Sequence, residues 1–105
     1  MTLNISFLHA DSTPALKERI QDKSEHIKKY FDTEKIDIQW TCSVEKNAHS
    51  SIVTLRAGHR YFYAKGTSDD LYKSFDEVLK KLENQFHHKK SHIDHESVSE
   101  YAVNI

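Results

Sequence analysis

The chain has 105 residues, of which 30% are charged and 37% hydrophobic, and its formal net charge at pH 7 is -1. This length supports one domain with one core, and the composition argues against a disordered chain. The balanced charge excludes a protein that binds nucleic acid through bulk positive charge, although eight histidines can add charge near neutral pH. One cysteine, no basic apolar leader and no membrane-length apolar run predict a cytoplasmic protein with no membrane partner.

The first half of the chain has the pattern strand, helix, strand. Alternating apolar residues predict a strand over residues 3–7, and Thr13 followed by Pro14 predicts the capped start of a helix that runs to about Tyr30. Residues 36–45 alternate most regularly. The even positions carry apolar side chains, and the odd positions, which end with Glu45, carry polar ones. This pattern predicts a long strand with one buried face and one wet face.

The second half of the chain adds two strands and a long helix. Residues 46–50 are predicted to be a loop, and residues 51–57 and 60–65 are predicted to be strands. Asp69 to about His92 is predicted to be the longest helix, because apolar residues recur there at helical spacing. This apolar stripe consists of Leu71, Phe75, Val78, Leu79, Leu82 and Phe86.

The order of these elements predicts the fold class. Thr67 and Ser68 are predicted to cap the long helix. The order β-α-β-β-β-α predicts an α+β fold in which both helices lie on one face of a four-stranded sheet. Residues 1–95 are predicted to form this domain, and the last ten residues, Glu96 to Ile105, are predicted to be a tail that is either disordered or extended along a partner.

Nothing in the sequence predicts an enzyme or a cofactor site. Phosphate-binding glycine loops, serine elbows and metalloprotease motifs are absent, and Cys42 falls at an inward strand position, where a small buried side chain is expected. His88, His92 and His95 have the spacing of a helical zinc site but lack a cysteine partner. Scattered surface histidines are the preferred interpretation, and no metal is predicted.

Each predicted helix has one flank that carries cations and no acids. On the long helix this flank consists of Lys81, Gln85, His88 and His92, and on the first helix it consists of Arg19, Lys23, His26 and Tyr30. If the two flanks face each other, they line a groove that suits an RNA backbone even at a net charge near zero. The alternative is that both are ordinary solvated helix faces. Outward-facing Tyr61 and Tyr63 add aromatic surface on which bases can stack.

Seven short stretches of the chain also resemble one protein family. They are Leu3-Asn4-Ile5, Thr13-Pro14-Ala15-Leu16, Tyr30-Phe31-Asp32, Val44-Glu45-Lys46, Thr54-Leu55, Asp70-Leu71-Tyr72 and Lys81-Leu82. In this order and spacing the chain resembles the ribosome hibernation-promoting factor family, which includes ribosome-associated inhibitor A, from about Thr2 to His92. It resembles the short form, because the second, dimerising domain of the long forms is missing.

The resemblance implies a fold similar to double-stranded-RNA-binding domains and a ribosome-binding translation inhibitor. It implies that the protein occupies the channel of the small ribosomal subunit that holds messenger and transfer RNA, and stabilises idle ribosomes in stationary phase or stress. It also implies a chain that is monomeric when free and takes no small-molecule substrate. Lys23 and Lys81 match basic family positions, and Lys90 falls in the basic C-terminal run. The predicted RNA-binding residues are therefore Arg19, Lys23, His26, Lys81, His88, Lys89, Lys90 and His92.

Two departures from the family pattern keep an alternative open. Glu83 and Asn84 replace a small residue followed by an arginine, and histidines stand where lysines are usual. A weaker or pH-tuned ribosome binder is one interpretation of these changes. The alternative is a protein-interaction or regulatory module that kept the fold but does not bind ribosomes.

Overall fold

The computed structural model describes the backbone of residues 1–91 and the side chains of residues 1–87. Its elements are β1 (Thr2–Leu8), α1 (Pro14–Lys28), β2 (Ile36–Glu45), β3 (Ala48–Ala57), β4 (Arg60–Ser68) and α2 (Leu71–Ser91). The strands form one sheet in the order β1-β2-β3-β4, in which β1 and β2 are parallel and the other neighbours antiparallel. The predicted α+β fold class is confirmed. The predicted tail lies outside the described residues.

One face of the sheet carries the hydrophobic core, and both helices pack on that face. Because successive side chains of a strand point to opposite faces, the even positions of β2 and the odd positions of β3 are inward together. The buried strand residues are Ile36, Ile38, Trp40, Cys42, Val53, Leu55, Ala57, Phe62 and Ala64. The predicted stripe of α2 is buried over its whole length, as are Leu16, Ile20 and Ile27 of α1. The two-layer arrangement is therefore the one that the sequence predicts.

A two-residue turn replaces the loop that was predicted over residues 46–50. Glu45 pairs directly with Ala48, so β3 begins three residues earlier than predicted and only Lys46 and Asn47 connect β2 to β3. Lys46 has a φ of 57°, and Gly58 in the equivalent turn between β3 and β4 has a φ of 62°. Polar residues at the start of β3 concealed the pairing, because that end of the strand has no apolar alternation.

The start of α2 differs from the prediction because β4 is longer than expected. Ser68 pairs with His49, so Thr67 and Ser68 belong to the strand and do not cap the helix. Asp70 takes that role, because its Oδ1 accepts a hydrogen bond of 2.9 Å from the backbone N–H of Lys73. The cap predicted at Thr13 of α1 is confirmed, since its Oγ1 accepts from the backbone N–H of Leu16 at 3.1 Å.

Small residues let α2 lie close to the sheet. Gly66 of β4 is buried, and a Cβ atom added to it would lie 2.5 Å from the backbone nitrogen of Val78. Nearby, the hydroxyl groups of Ser51 and Ser74 are 2.8 Å apart, and Ser74 also donates to the carbonyl of Leu71. This close approach fixes α2 over β3 and β4 and so determines where its two flanks point.

Aromatic rings fix the far end of α2 beside the end of α1. The helix α1 ends at Lys28, two residues before the predicted end, and Tyr30 and Phe31 follow it. The Phe86 ring centroid lies 5.0 Å from those of Tyr30 and Phe31 and 4.8 Å from that of Phe62. Ring pairs at this spacing add to the stabilisation from burial. The C-terminal part of α2 is thus held beside the segment that follows α1.

Candidate nucleic-acid interface

The helices α1 and α2 run in the same direction and meet along one line of side chains. The contacts along it are Arg19 over the Tyr72 ring, Lys23 with Asp76, His26 with Glu83, and Tyr30 with Glu83 and the His87 ring. We call this line of contacts the seam. Residue numbers rise together on the two helices, which shows that the helices are parallel. Three of the predicted RNA-binding residues, Arg19, Lys23 and His26, are brought together here.

The middle of the seam is an ion pair between Lys23 and Asp76. Lys23 Nζ lies 2.8 Å from Asp76 Oδ1, and the two side chains are 24% and 69% exposed. A charge-assisted hydrogen bond of this length is well formed, but the exposed carboxylate also contacts water. Lys23 therefore reaches the surface as one half of a neutral pair.

The next step of the seam is centred on the carboxylate of Glu83. The Tyr30 hydroxyl donates to Glu83 Oε2 at 2.9 Å, and His26 Nε2 lies 3.1 Å from the same oxygen. The hydrogen bond to Glu83, with smaller contributions from burial and from the carboxylate charge, raises the pKa of Tyr30. Tyr30 is thus held as a neutral donor at physiological pH, and Glu83 is anchored by α1.

The predicted groove between two facing cationic flanks is wrong. Lys81 Nζ donates to the backbone carbonyl of Lys65 at 2.8 Å, and Gln85 Nε2 donates to the carbonyl of Tyr63. Both carbonyls belong to β4, so this flank of α2 overhangs the free edge of the sheet and points away from α1. An amphipathic helix has two flanks beside its apolar stripe, and only the packing of the helix decides which one meets its neighbour.

The flank of α2 that does meet α1 contains a lysine and a histidine that were not predicted as site residues. Lys80 follows Asp76 by four residues and precedes Glu83 by three, so helical phase places it on the seam side. The His87 ring contacts the Tyr30 ring with a centroid distance of 6.0 Å. A prediction of which way α2 faces the first helix would have found both residues.

The remaining predicted site residues are at the C-terminal end of α2 and beyond it. The side chains of His88, Lys89 and Lys90 and the whole of His92 lie outside the described residues. The alternative zinc site at His88, His92 and His95 lies there too. Among the described side chains of residues 1–87, no cluster of three His, Cys, Asp or Glu residues is arranged to hold a metal ion.

Other candidate features lie away from the seam. Cys42 is buried at the predicted inward position, and burial raises the pKa of its thiol to about 11, so it is protonated at neutral pH. Tyr61 and Tyr63 occupy the sheet face opposite the helices, which separates any base stacking there from the seam. Neither helix of the described chain has the length and apolar character needed to cross a bilayer.

Residues 3–94 match the family model described as Sigma 54 modulation protein / S30EA ribosomal protein. The chain belongs to this family. Ribosome-associated factor Y of Haemophilus influenzae is 31% identical over 102 residues, which cover 97% of this chain and 91% of that protein. The ribosome hibernation promoting factor of Escherichia coli is 31% identical over 85 residues, which cover 81% of this chain and 88% of that protein. The family resemblance seen in the sequence is confirmed.

Two solved structures share the architecture. A ribosomal subunit interface protein from Coxiella burnetii superposes with a TM-score of 0.75 at 23% identity, covering 87% of this chain and 99% of that chain. The N-terminal domain of Protein Y from Thermus thermophilus superposes with a TM-score of 0.74 at 17% identity, covering 82% of this chain and 96% of that chain. At these identities the likeness establishes the fold of the family and not the chemistry of its surface.

Proposed function

We propose that this protein is a non-enzymatic, ribosome-binding translation inhibitor that occupies the messenger and transfer RNA channel of the small subunit. The observation that carries the proposal is the family match, which extends over residues 3–94 and includes relatives named as ribosome-associated and hibernation-promoting factors. Occupying the channel would exclude messenger and transfer RNA and would stabilise idle ribosomes in stationary phase or stress. Such a protein works in the cytoplasm and needs no cofactor.

The proposed RNA contacts come from both helices. Arg19, Lys23 and His26 contribute from α1, and Lys80 and Lys81 contribute from the two flanks of α2. His88, Lys89, Lys90 and His92 of the basic C-terminal run are proposed to add to these contacts. Phosphate contacts position a protein on RNA without reading its sequence, and the folded shape of the RNA supplies the selectivity.

Lys81 can bind phosphate and hold the sheet edge at the same time. A lysine ammonium has three N–H donors, and the contact with the Lys65 carbonyl uses one of them. The Lys81 side chain remains exposed, so two donors face solvent. The structural contact therefore fixes the position of the charge on the surface without neutralising it.

A pair of matched triple variants tests this interface. Lys23→Gln, Lys80→Gln and Lys81→Gln together remove three charges from the proposed surface. Lys17→Gln, Lys28→Gln and Lys29→Gln remove three charges from α1 and its C-cap, outside that surface. Each phosphate contact makes the logarithm of the affinity fall by about 0.7 to 0.9 per log unit of salt. Losing three such contacts should weaken the binding of the first triple variant to small subunits roughly 100-fold at low salt. Co-sedimentation at several salt concentrations measures both effects.

The outcome for the control variant decides how the result is interpreted. The control should bind within a few-fold of the unmodified protein, and circular dichroism should show both variants folded. If both triple variants bind like the unmodified protein, the proposed surface is wrong. Equal losses in both variants would mean that only the net charge matters and would also contradict the proposed surface.

One observation favours the alternative of a regulatory or protein-interaction module. Lys23 and His26, which should be available to phosphate, already contact carboxylates of the same chain. Capture of the protein from stationary-phase cells separates the two functions. Stoichiometric ribosomal proteins favour the inhibitor, and a single non-ribosomal partner favours the module.

A further inference from the structure

Two acids of α2 contact Lys23 and His26 of α1, which belong to the proposed RNA surface. Asp76 Oδ1 is 2.8 Å from Lys23 Nζ, and Glu83 Oε2 is 3.1 Å from His26 Nε2. Phosphate oxygens bind ammonium and imidazolium groups at the same distances as carboxylate oxygens do. Each carboxylate therefore occupies a position that an RNA phosphate would take on α1.

We infer that Asp76 and Glu83 are specificity-determining residues of the RNA interface, an inference that rests on the proposed function. A short or unstructured RNA that approaches the seam meets two carboxylates and gains little by displacing them. A folded ribosomal RNA surface that also contacts Lys80 and Lys81 gains enough to overcome the repulsion. Selectivity against wrong partners often comes from such a built-in repulsive element.

The charge balance along the seam shows why each carboxylate matters. In the seam contacts, Arg19 and Lys23 carry positive charge and are balanced by the carboxylates of Asp76 and Glu83. Replacing one acid by its neutral amide changes this balance from zero to one net positive charge. Non-specific RNA binding depends on this local charge, since each neutralised phosphate releases counterions. A single charge change should therefore have a measurable effect on non-specific RNA.

The two acids are held to different degrees, which ranks their effects. Asp76 is 69% exposed and has one lysine partner, and an exposed ion pair of this kind exchanges readily with solvent or phosphate. Glu83 is 28% exposed and is held by both Tyr30 and His26. A phosphate must break two contacts to displace Glu83, so this carboxylate remains in the seam and is the stronger selector.

Isosteric amide variants test the inference with little change in packing. Glu83→Gln keeps an oxygen that can accept from Tyr30, and Asp76→Asn does the same for Lys23. The matched control is Glu18→Gln, which makes the same charge change at an exposed position on the outer side of α1. The measurements are the dissociation constants for a short poly(U) oligonucleotide and for purified small subunits at several salt concentrations.

Glu83→Gln should tighten binding to poly(U) by roughly fivefold at low salt, with a steeper salt dependence, because one more phosphate contact forms. Asp76→Asn should give a smaller gain, and Glu18→Gln should change the affinity by less than about twofold. Binding to small subunits should improve less than binding to poly(U), so the ratio of the two affinities should fall in Glu83→Gln. This fall in selectivity is the effect that a merely structural role would not produce.

The outcomes separate failure of this inference from failure of the proposed function. Equal poly(U) affinities for Glu83→Gln and Glu18→Gln would overturn the specificity role, even if the unmodified protein sediments with small subunits. Absence of the unmodified protein from small-subunit fractions would overturn the proposed function. In that case a tighter binding of poly(U) by Glu83→Gln than by Glu18→Gln would still support the inference that the Glu83 carboxylate repels anions from the seam.

Discussion

The two flanks of α2 both carry polar side chains, but they contact different kinds of partner. On the flank that meets α1, Asp76 and Glu83 contact the side chains of Lys23, His26 and Tyr30. On the opposite flank, Lys81 and Gln85 donate to the backbone carbonyls of β4. One flank balances charge between two helices, and the other satisfies the exposed edge of a sheet.

The two flanks therefore show that a cationic row on a helix does not by itself indicate a surface that faces RNA. The edge of a sheet presents unpaired N–H and C=O groups that favour unwanted strand pairing. Lys81 and Gln85 donate to two of these carbonyls, so their position on this flank has a structural reason. Asp76 and Glu83 lie on the other flank, where Lys23, His26 and Tyr30 contact them.

A shift of α2 away from the sheet should disrupt the contacts of both flanks. It should therefore have the largest effect on the free energy of unfolding. In Gly66→Ala the added methyl group would lie 2.5 Å from the Val78 backbone nitrogen and 2.9 Å from the Ser74 carbonyl oxygen. These are backbone atoms that cannot move aside without a shift of the whole helix. We expect a loss of about 3 kcal/mol in the free energy of unfolding, measured by urea denaturation.

The matched control for this prediction is the other glycine of the chain. Gly58 has a φ of 62°, and no atom lies within 4 Å of the position its Cβ would take. Gly58→Ala should therefore cost only the strain of a left-handed residue, about 1 kcal/mol. If Gly66→Ala costs no more than Gly58→Ala, the helix has room to move, and close packing does not determine the orientation of its flanks.

Removing the donors of the β4 flank should have a smaller effect on stability. The double variant Lys81→Ala and Gln85→Ala leaves the Tyr63 and Lys65 carbonyls to water, because the edge lies at the surface. We expect a loss of about 1 kcal/mol in the free energy of unfolding. We also expect more self-association at high concentration, measured by sedimentation velocity, since the sheet edge is then open.

Asn84→Ala is the control for this double variant. Asn84 is exposed on the solvent side of α2, one residue before Gln85, and its replacement should leave both stability and association unchanged. A double variant that is as stable and as monomeric as Asn84→Ala would show that the two hydrogen bonds do not protect the edge. The two flanks would then differ in geometry but not in energetic role.

The sequence predicted the core of this fold well because its signals are local. The alternation over residues 36–45 gave both ends of β2, and the spacing from Leu71 to Phe86 gave the buried stripe of α2. A cap such as Thr13 is also local, since the hydroxyl bonds to a backbone group three residues later. Features of this kind need no knowledge of the neighbouring elements.

The orientation of the flanks was not predictable in the same way. The stripe of α2 is symmetrical about its centre, so the sequence does not show which flank meets α1 and which meets β4. Glu83 was recognised as a departure from the family pattern, yet its partners His26 and Tyr30 are more than 50 residues away in the chain. The packing of α2 on the sheet and on the segment after α1 brings these groups together.

The smallest expected effect concerns alkaline pH and tests the Glu83 contact directly. The hydrogen bond from Tyr30 to Glu83 raises the pKa of Tyr30 in the folded protein above its ordinary value of about 10. A group with a raised folded pKa stabilises the protein fully below its unfolded pKa, and this contribution is lost as the pH rises through the folded pKa. The free energy of unfolding should therefore fall more steeply above about pH 10 in the unmodified protein than in Tyr30→Phe.

Glu83→Ala provides the second arm of this experiment, because it removes the hydrogen-bond acceptor and keeps the phenol. If the contact is the cause, Glu83→Ala should remove most of the alkaline fall of stability that Tyr30→Phe removes, and the double variant should add little further. Additive effects of the two changes would mean that Tyr30 and Glu83 act separately. The α1-facing flank of α2 would then be a set of exposed charges, and Glu83 would not be fixed firmly enough to select among anions.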